Sequence, residues 1–310
     1  MTVTAYFTGI GGEGTTLYSC TGFEVVRPFA SPVYSCKASF AVSGPLPEQK
    51  TVRLLLDGET LFDGLMDKQC YSEEGDGRLL KIEARTRGAC LLDCEAKPQT
   101  YYNPSIERIF ERHIEPYGFT RLSDSFETRP SEFVVRKGMS EWDVLKNYCR
   151  ASWRPDPYID RGGVVRTEYV PERGLPVEGG RIRGVHLAFG QEIDRTQYVS
   201  ETGILDELGR LVYSREYTPE LGITRRRYLY SAGVEDESKW WQSQYNAYKR
   251  AAATRLVRRE VLAHYRAIYP GDFYEPYDSE IGWAVWEVRY ILNEDGFREE
   301  VELRDHRFIR

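Results

Sequence analysis

Hydrophobic and polar positions alternate with period two through much of the first hundred residues. Between Leu79 and Arg87, Leu80, Ile82 and Ala84 fall on one side, and Lys81, Glu83 and Arg85 on the other, which predicts a half-buried strand. Val52-Arg-Leu-Leu-Leu56 and Glu59-Thr-Leu-Phe62 flank Asp57-Gly58, a pair suited to the positive φ of a two-residue hairpin turn. Ser43-Gly-Pro-Leu-Pro-Glu-Gln-Lys50 reads as a loop, because its prolines remove backbone donors. Residues 1–98 are thus expected to form a small β-barrel or sandwich.

The period then changes. Asn103 is a good N-cap and Pro104 suits a first helical position, and Ile106, Ile109, Phe110, His113 and Ile114 form one stripe up to a stop at Gly118. His113 lies in line with that stripe, so it reads as a core histidine rather than a ligand. Phe133-Val-Val predicts a strand and Ser140 caps a helix that buries Trp142, Leu145, Tyr148 and Cys149 on one face. Gly162-Gly163 then supplies the turn between Tyr158-Ile159 and Val164-Val165. Residues 99–175 read as a small α/β insert, and Pro171 to Gly180 as a linker or exposed loop.

Strand patterns return at Ile182–Phe189, Leu211–Tyr217 and Arg225–Tyr230. Ala247, Ala251, Ala252, Ala253, Leu256 and Leu262 have high helix propensity, and no Gly or Pro interrupts before Pro270, so one long helix is expected over about 237–266. Trp283–Leu292 and Phe297–Arg304 close the chain as a hairpin across Asp295-Gly296. Residues 176–310 are read as a second β-barrel module carrying the long helix. The fold class is α+β, mainly β.

Charge and composition narrow the function. The chain has 310 residues and a net charge of −6, which argues against a general nucleic-acid binder, since such proteins neutralise phosphate with an excess of Lys and Arg. No run of about 18 apolar residues and no basic-apolar leader is present, so neither a membrane anchor nor a secretory signal is expected, and synthesis in the cytoplasm is. Cys20, Cys36, Cys70, Cys90, Cys94 and Cys149 read as reduced thiols, because a chain of this size builds real cores without bridges. Cys90 and Cys94 share a spacing of four but lack the further pair or histidine of a zinc site. The 22 tyrosines suit extended β structure and protein interfaces.

Site signatures are missing. There is no His-Glu-x-x-His, Gly-x-Ser-x-Gly or phosphate loop, and Gly9-Ile-Gly-Gly-Glu-Gly14 precedes no apolar helix, so it reads as a loop. Glu107, Glu111 and Glu115 have the spacing of a solvated helix face. No catalytic residue, metal ligand or cofactor is assigned. Arg225, Arg226 and Arg227 alternate faces on a strand-like segment. Arg255, Arg258 and Arg259 share a face of the predicted helix, which starts near Trp240 and Trp241, and these five are the candidate subunit or partner contacts.

The order of these features resembles the baseplate hub proteins of contractile phage tails, of the Mu-like and T4-like kind. The resemblance is carried by the Asp57-Gly58 hairpin with Phe62-Asp-Gly64, the Ile82-Glu-Ala-Arg-Thr-Arg87 strand leading into Leu91-Leu-Asp93, the Asn103-Pro-Ser-Ile-Glu107 helix start and the Phe133–Val165 block. It implies two barrels resembling tail-tube subunits in a homotrimeric ring of pseudo-hexameric symmetry. Its partners would be copies of itself, a trimeric spike, a tail tube or tube-initiator protein and baseplate wedge proteins, with DNA only as cargo through the channel. It implies a non-enzymatic component of a virion or tail-like particle. Tyr269-Pro-Gly-Asp-Phe-Tyr-Glu-Pro-Tyr277 departs from the family as an unusual end to the last module. Two other readings compete: a peptidoglycan-binding LysM-like or cell-wall-cleaving tail protein, for which Phe133–Gly138 before a Trp-bearing helix is the opening pattern, and the hub portion of a noncontractile tail tip.

Overall fold

The computed structural model of the chain describes residues 1–74, 77–152, 154–171, 173–216, 222, 225–230, 248–249, 251–276 and 281–308. The first stretch runs β1 (Val3–Gly9), β2 (Gly14–Leu17), β3 (Cys20–Pro28), β4 (Ser35–Ala41), β5 (Gln49–Leu56), β6 (Glu59–Glu74) and β7 (Gly77–Arg85). Asp57 and Gly58 both take positive φ, 49° and 86°, and Leu56 pairs with Glu59 across them. The predicted hairpin is therefore present. Along β7, Leu80, Ile82 and Ala84 are buried and Lys81 and Glu83 exposed, as its alternation requires. The glycine-rich run from Gly9 is the turn between β1 and β2.

After α1 (Ala89–Asp93), the stretch 99–175 runs β8 (Gln99–Tyr102), α2 (Ile106–His113), β9 (Leu122–Ser123), β10 (Glu132–Val135), α3 (Glu141–Ala151), β11 (Tyr158–Ile159) and β12 (Val165–Arg166). Ser140 caps α3 in a reciprocal box with Asp143. The cap of α2 is Ser105, two residues later than the sequence suggested. The Ser105 hydroxyl accepts from the Arg108 amide at 3.3 Å, while Asn103 takes a left-handed φ of 44° ahead of the helix. The two apolar stripes face one another: Ile106, Ile109, Phe110, His113 and Ile114 of the first meet Trp142, Leu145, Tyr148 and Cys149 of the second in a single core.

After α3 the chain makes no second helix before residue 171 among the described residues. It enters the β11–β12 hairpin, and β12 also runs parallel to β9. A LysM module needs that second helix, so the structure does not support the peptidoglycan-binding alternative at this block.

The remainder is β13 (Val177–Glu178), β14 (Arg181–Ile182), β15 (His186–Ile193), β16 (Glu201–Leu205), β17 (Leu211–Glu216), β18 (Arg226–Tyr230), β19 (Leu256–Leu262), β20 (Phe273–Tyr274), β21 (Trp283–Asn293) and β22 (Gly296–Asp305). The stretch read as a linker before Gly180 is partly ordered pairing, because β13 and β14 form a hairpin. The long helix is a larger correction. Residues 251–255 are helical, but 256–262 is strand β19. This strand fills the slot between β15 and β22 and pairs with both, and two ladders of hydrogen bonds outweigh a helix propensity of a few tenths of a kcal/mol per residue. Residues 237–247, with Trp240 and Trp241, lie outside the described residues.

The β stretches before and after the insert join into one twelve-stranded antiparallel sheet, ordered β15-β19-β22-β21-β3-β4-β7-β6-β5-β1-β2 with β20 beside β21. The junction is β3 against β21, from Phe23 opposite Leu292 to Pro28 opposite Glu287. Neither stretch closes into a barrel; the sheet is an open path. One apolar core serves both: Phe7, Phe40, Leu54 and Leu80 belong to the same cluster as Val285, Val288, Val301 and Leu303. Phe29, Tyr158, Tyr169, Ala284 and Trp286 form a small aromatic cluster where the insert meets the sheet.

Candidate assembly interface

A sheet with two ends exposes two rows of unpaired backbone groups, and monomeric proteins blunt such edges with charge, proline or a covering element. Among the described residues β15 and β2 each have a single partner strand. The sequence of β2, Gly-Thr-Thr-Leu, has no charge, and the one acid of β15, Glu192, is bound to Arg259 at 2.8 Å. Exposed apolar side chains gather at both ends: Ile10, Tyr18 and Tyr6 beside β2, and Val185, Leu187, Phe189 and Ile193 along β15. Leu187 is 58% exposed and Tyr18, just after β2, 72%, and apolar side chains gathered in this way mark contact surfaces.

The β15 edge is built from behind. Glu260 of β19 is fully buried, and it accepts hydrogen bonds from the Ile182 amide (3.0 Å) and the Tyr274 hydroxyl (2.9 Å) and lies 2.9 Å from His186 Nε2. Its Oε1, which takes the Tyr274 hydroxyl, also pairs with Arg258 Nε at 2.9 Å. Burial, with Glu260 beside it, pushes the Tyr274 phenol well up, so the hydroxyl stays a donor. Phe189 is held between the Arg181 and Arg258 guanidiniums, at 4.0 and 4.7 Å from its ring centre. A buried carboxylate would be costly alone, and these partners together fix the edge in place.

Arg255, Arg258 and Arg259 do not share a helix face. Arg255 ends the helical stretch with its guanidinium 5.7 Å from the Tyr198 ring. Arg258 and Arg259 are strand neighbours on opposite faces: the first is buried against Glu260, the second is exposed and pairs with Glu192 and Glu302. Arg259 belongs to a ladder of ion pairs that runs from exposed to half-buried, with Arg304–Glu302 at 2.9 Å, Arg289–Glu287 at 2.7 Å and Arg289–Glu24 at 3.7 Å. Glu107, Glu111 and Glu115 are exposed on the outer side of α2 and the turn after it. Among the described residues no group of three or more His, Cys, Asp or Glu is placed to hold a metal ion. The edge residues themselves escape a sequence reading, because Leu187 and Phe189 look like any strand's inward face until the strand order is known.

No family model matches the sequence, and no curated protein matches it. The fold is more telling. A tail protein of Neisseria meningitidis MC58 superposes with a TM-score of 0.76 at 14% identity, over 98% of this chain and 97% of that one. The 43 kDa tail protein of prophage MuSo2 from Shewanella oneidensis gives 0.79 at 11% identity, over 100% and 99%. This chain has a phage tail protein fold. The same fold extends to the E. coli c3393 protein, a component of the type VI secretion system described as similar to the T4 tail proteins gp27 and gp5, with a TM-score of 0.58 at 11% identity over 93% and 73%. The likeness to tail and baseplate proteins read from the sequence thus stands at the level of fold.

Proposed function

We propose that the chain is a structural baseplate hub, a homotrimeric ring that joins a tail tube to a central spike. The observation that carries this reading is a single sheet whose two unlike end strands, β15 and β2, each pair on one side only among the described residues, on a tail-protein fold. Two unlike edges favour head-to-tail pairing, β15 of one copy along β2 of the next, and such contacts make a closed ring when the rotation per copy fits. The β stretches of 1–98 and 176–310 then act as two tube-like modules that close only with their neighbours, six modules from three copies, while the 99–175 insert stands off the ring. The tube or its initiator sits above, the trimeric spike below, wedge proteins outside, and DNA passes as cargo along the channel. Arg259 and its ion-pair ladder offer one surface to these partners, with Arg255 a further candidate contact; Trp240 and Trp241 are kept as candidates from the sequence alone, and Arg258, buried against Glu260, is withdrawn. No chemistry is asked of any of these side chains.

Solution mass is the direct test. The chain should be trimeric at micromolar concentration, burying on the order of 2,000 Å² or more per contact as obligate assemblies do. A strict monomer at tens of micromolar, even with the cognate spike present, would sink the proposal.

A further inference from the structure

The strand path fixes the heading of the two open edges. Eleven strands lie on the path from β15 to β2, and each of its ten neighbouring pairs is antiparallel. An even number of reversals restores the first heading, so β15 and β2 run the same way at opposite ends of the sheet.

The inward faces of both edges are fixed as well. In β15, Phe189, Gln191 and Ile193 stand opposite Glu260, Arg258 and Leu256 of β19, on the side of the shared apolar core that includes Leu256 and Leu262. In β2, Thr15 and Leu17 stand opposite Phe7 and Ala5 of β1, which belong to the same core, and Leu17 packs against it. The core is unfinished at both ends: Thr15 and Leu17 are only half-buried, Phe189 is 39% exposed and Ile193 56%.

A neighbour set edge to edge, with its core side continuing the first, keeps the order of the strands and the face they turn inward. A body that keeps both cannot have its strands reversed. We propose that β15 of one copy takes β2 of the next in parallel, a parallel seam in an otherwise antiparallel sheet, with Thr15 and Leu17 on the side of Phe189, Gln191 and Ile193 and with Arg181 and Glu13 facing one another across it. This rests on the head-to-tail ring. An antiparallel seam between the same two edges turns the apolar side of one copy outward from that of the next, and so does a slip of one residue, because side chains alternate with period two. A two-fold contact instead sets β15 against β15 or β2 against β2.

Charge identifies the occupant as a second copy. The Arg181 guanidinium lies 4.0 Å from the centre of the Phe189 ring, and Glu13 stands exposed one residue before β2. Neither has an ion-pair partner among the described residues. Each edge therefore carries the charge that the other lacks, and opposite charges across a contact select the partner and its register.

Photo-crosslinking of the full-length protein tests the seam. A photoreactive phenylalanine analogue is placed at Thr16 or at Tyr18, both exposed, and rings are mixed from isotopically light and heavy copies so that links between copies are recognised by mass. Both probes should link to residues 186–193 of the neighbouring copy, and the site reached from Tyr18 should lie about two residues nearer Ile193 than the site reached from Thr16, since parallel strands advance together. Arg181→Glu should weaken the ring about tenfold, and Glu13→Arg in the same chain should restore it. A reversed order of links, links between two β2 strands, a ring of full mass without β2-to-β15 links, or a loss that Glu13→Arg does not restore overturns the seam and leaves the ring standing. A strict monomer overturns the ring itself.

Discussion

β7 and β15 are antiparallel strands of similar length in one sheet, yet they bury opposite fractions of themselves. Between its neighbours β4 and β6, β7 hides Leu80, Ile82 and Ala84 completely or nearly so and turns Lys81 and Glu83 to water. Among the described residues β15 has a partner on one side only, and every residue after His186 is exposed, Leu187, Phe189 and Ile193 included. In β7 the apolar positions are explained by the chain itself. In β15 no described residue of the chain accounts for them. The uncharged β2 edge, and a β15 edge whose one acid is tied up by Arg259, favour a second copy as the occupant, since monomers commonly blunt such edges.

The largest break in this comparison should come from behind the edge. Glu260→Ala removes the carboxylate that Arg258, His186, Tyr274 and the Ile182 amide share and leaves a guanidinium buried without its counter-charge. Losing one member of such a buried pair costs roughly 3–5 kcal/mol. Urea denaturation should show that loss, and assembly should fail with it; a cost below about 1 kcal/mol would mean that the cluster does not organise the edge.

A paired substitution then separates folding from assembly. Leu80→Ala in β7 should cost about 2–5 kcal/mol, as truncation of a fully buried leucine does. Leu187→Lys in β15 should leave the monomer within about 0.5 kcal/mol of the unmodified chain, because a surface side chain contributes little to the fold alone. It should nevertheless abolish the trimer in size-exclusion chromatography with light scattering. A Leu187→Lys chain that assembles normally would remove β15 from the interface.

The interior strands and the helices α2 and α3 were legible in the sequence because their signals are local. Asp57-Gly58 states its own turn, the alternation of β7 needs only a sheet on both sides, and the Ser140 cap satisfies the amide of Asp143 three residues on. The failures share a cause. Leu256–Leu262 continues an alanine-rich helical run, and only its two flanking strands, one from residues 186–193 and one from 296–305, make it extended. Arg258 and Arg259 changed from one helix face to opposite strand faces for the same reason. The single sheet in place of two barrels rests on β3 meeting β21, a pairing between residues more than 250 positions apart that no local pattern encodes. The exposed edge is the extreme case, since a strand's place in the order is a property of the whole sheet. The candidate contacts at Trp240 and Trp241 fall outside the described residues.

The smallest effect concerns Arg259, and it asks whether the ion-pair ladder serves the fold or the ring. Its guanidinium reaches Glu192 on β15 and Glu302 on β22, but the side chain is 57% exposed. Solvent-exposed pairs of this kind contribute about 0–1 kcal/mol and weaken as salt screens them. In a Leu187→Lys background, where no ring forms, Arg259→Ala should therefore lower stability by at most about 1 kcal/mol, and the difference should vanish near 1 M salt. If the ladder meets a neighbouring copy or the tube, the same substitution in the ring-forming chain should cost more, because burial at a contact strips the water that screens the pair. Equal costs in the two backgrounds would show that Arg259 only ties β15 to β19 and β22 within one chain, and would withdraw it from the proposed partner surface.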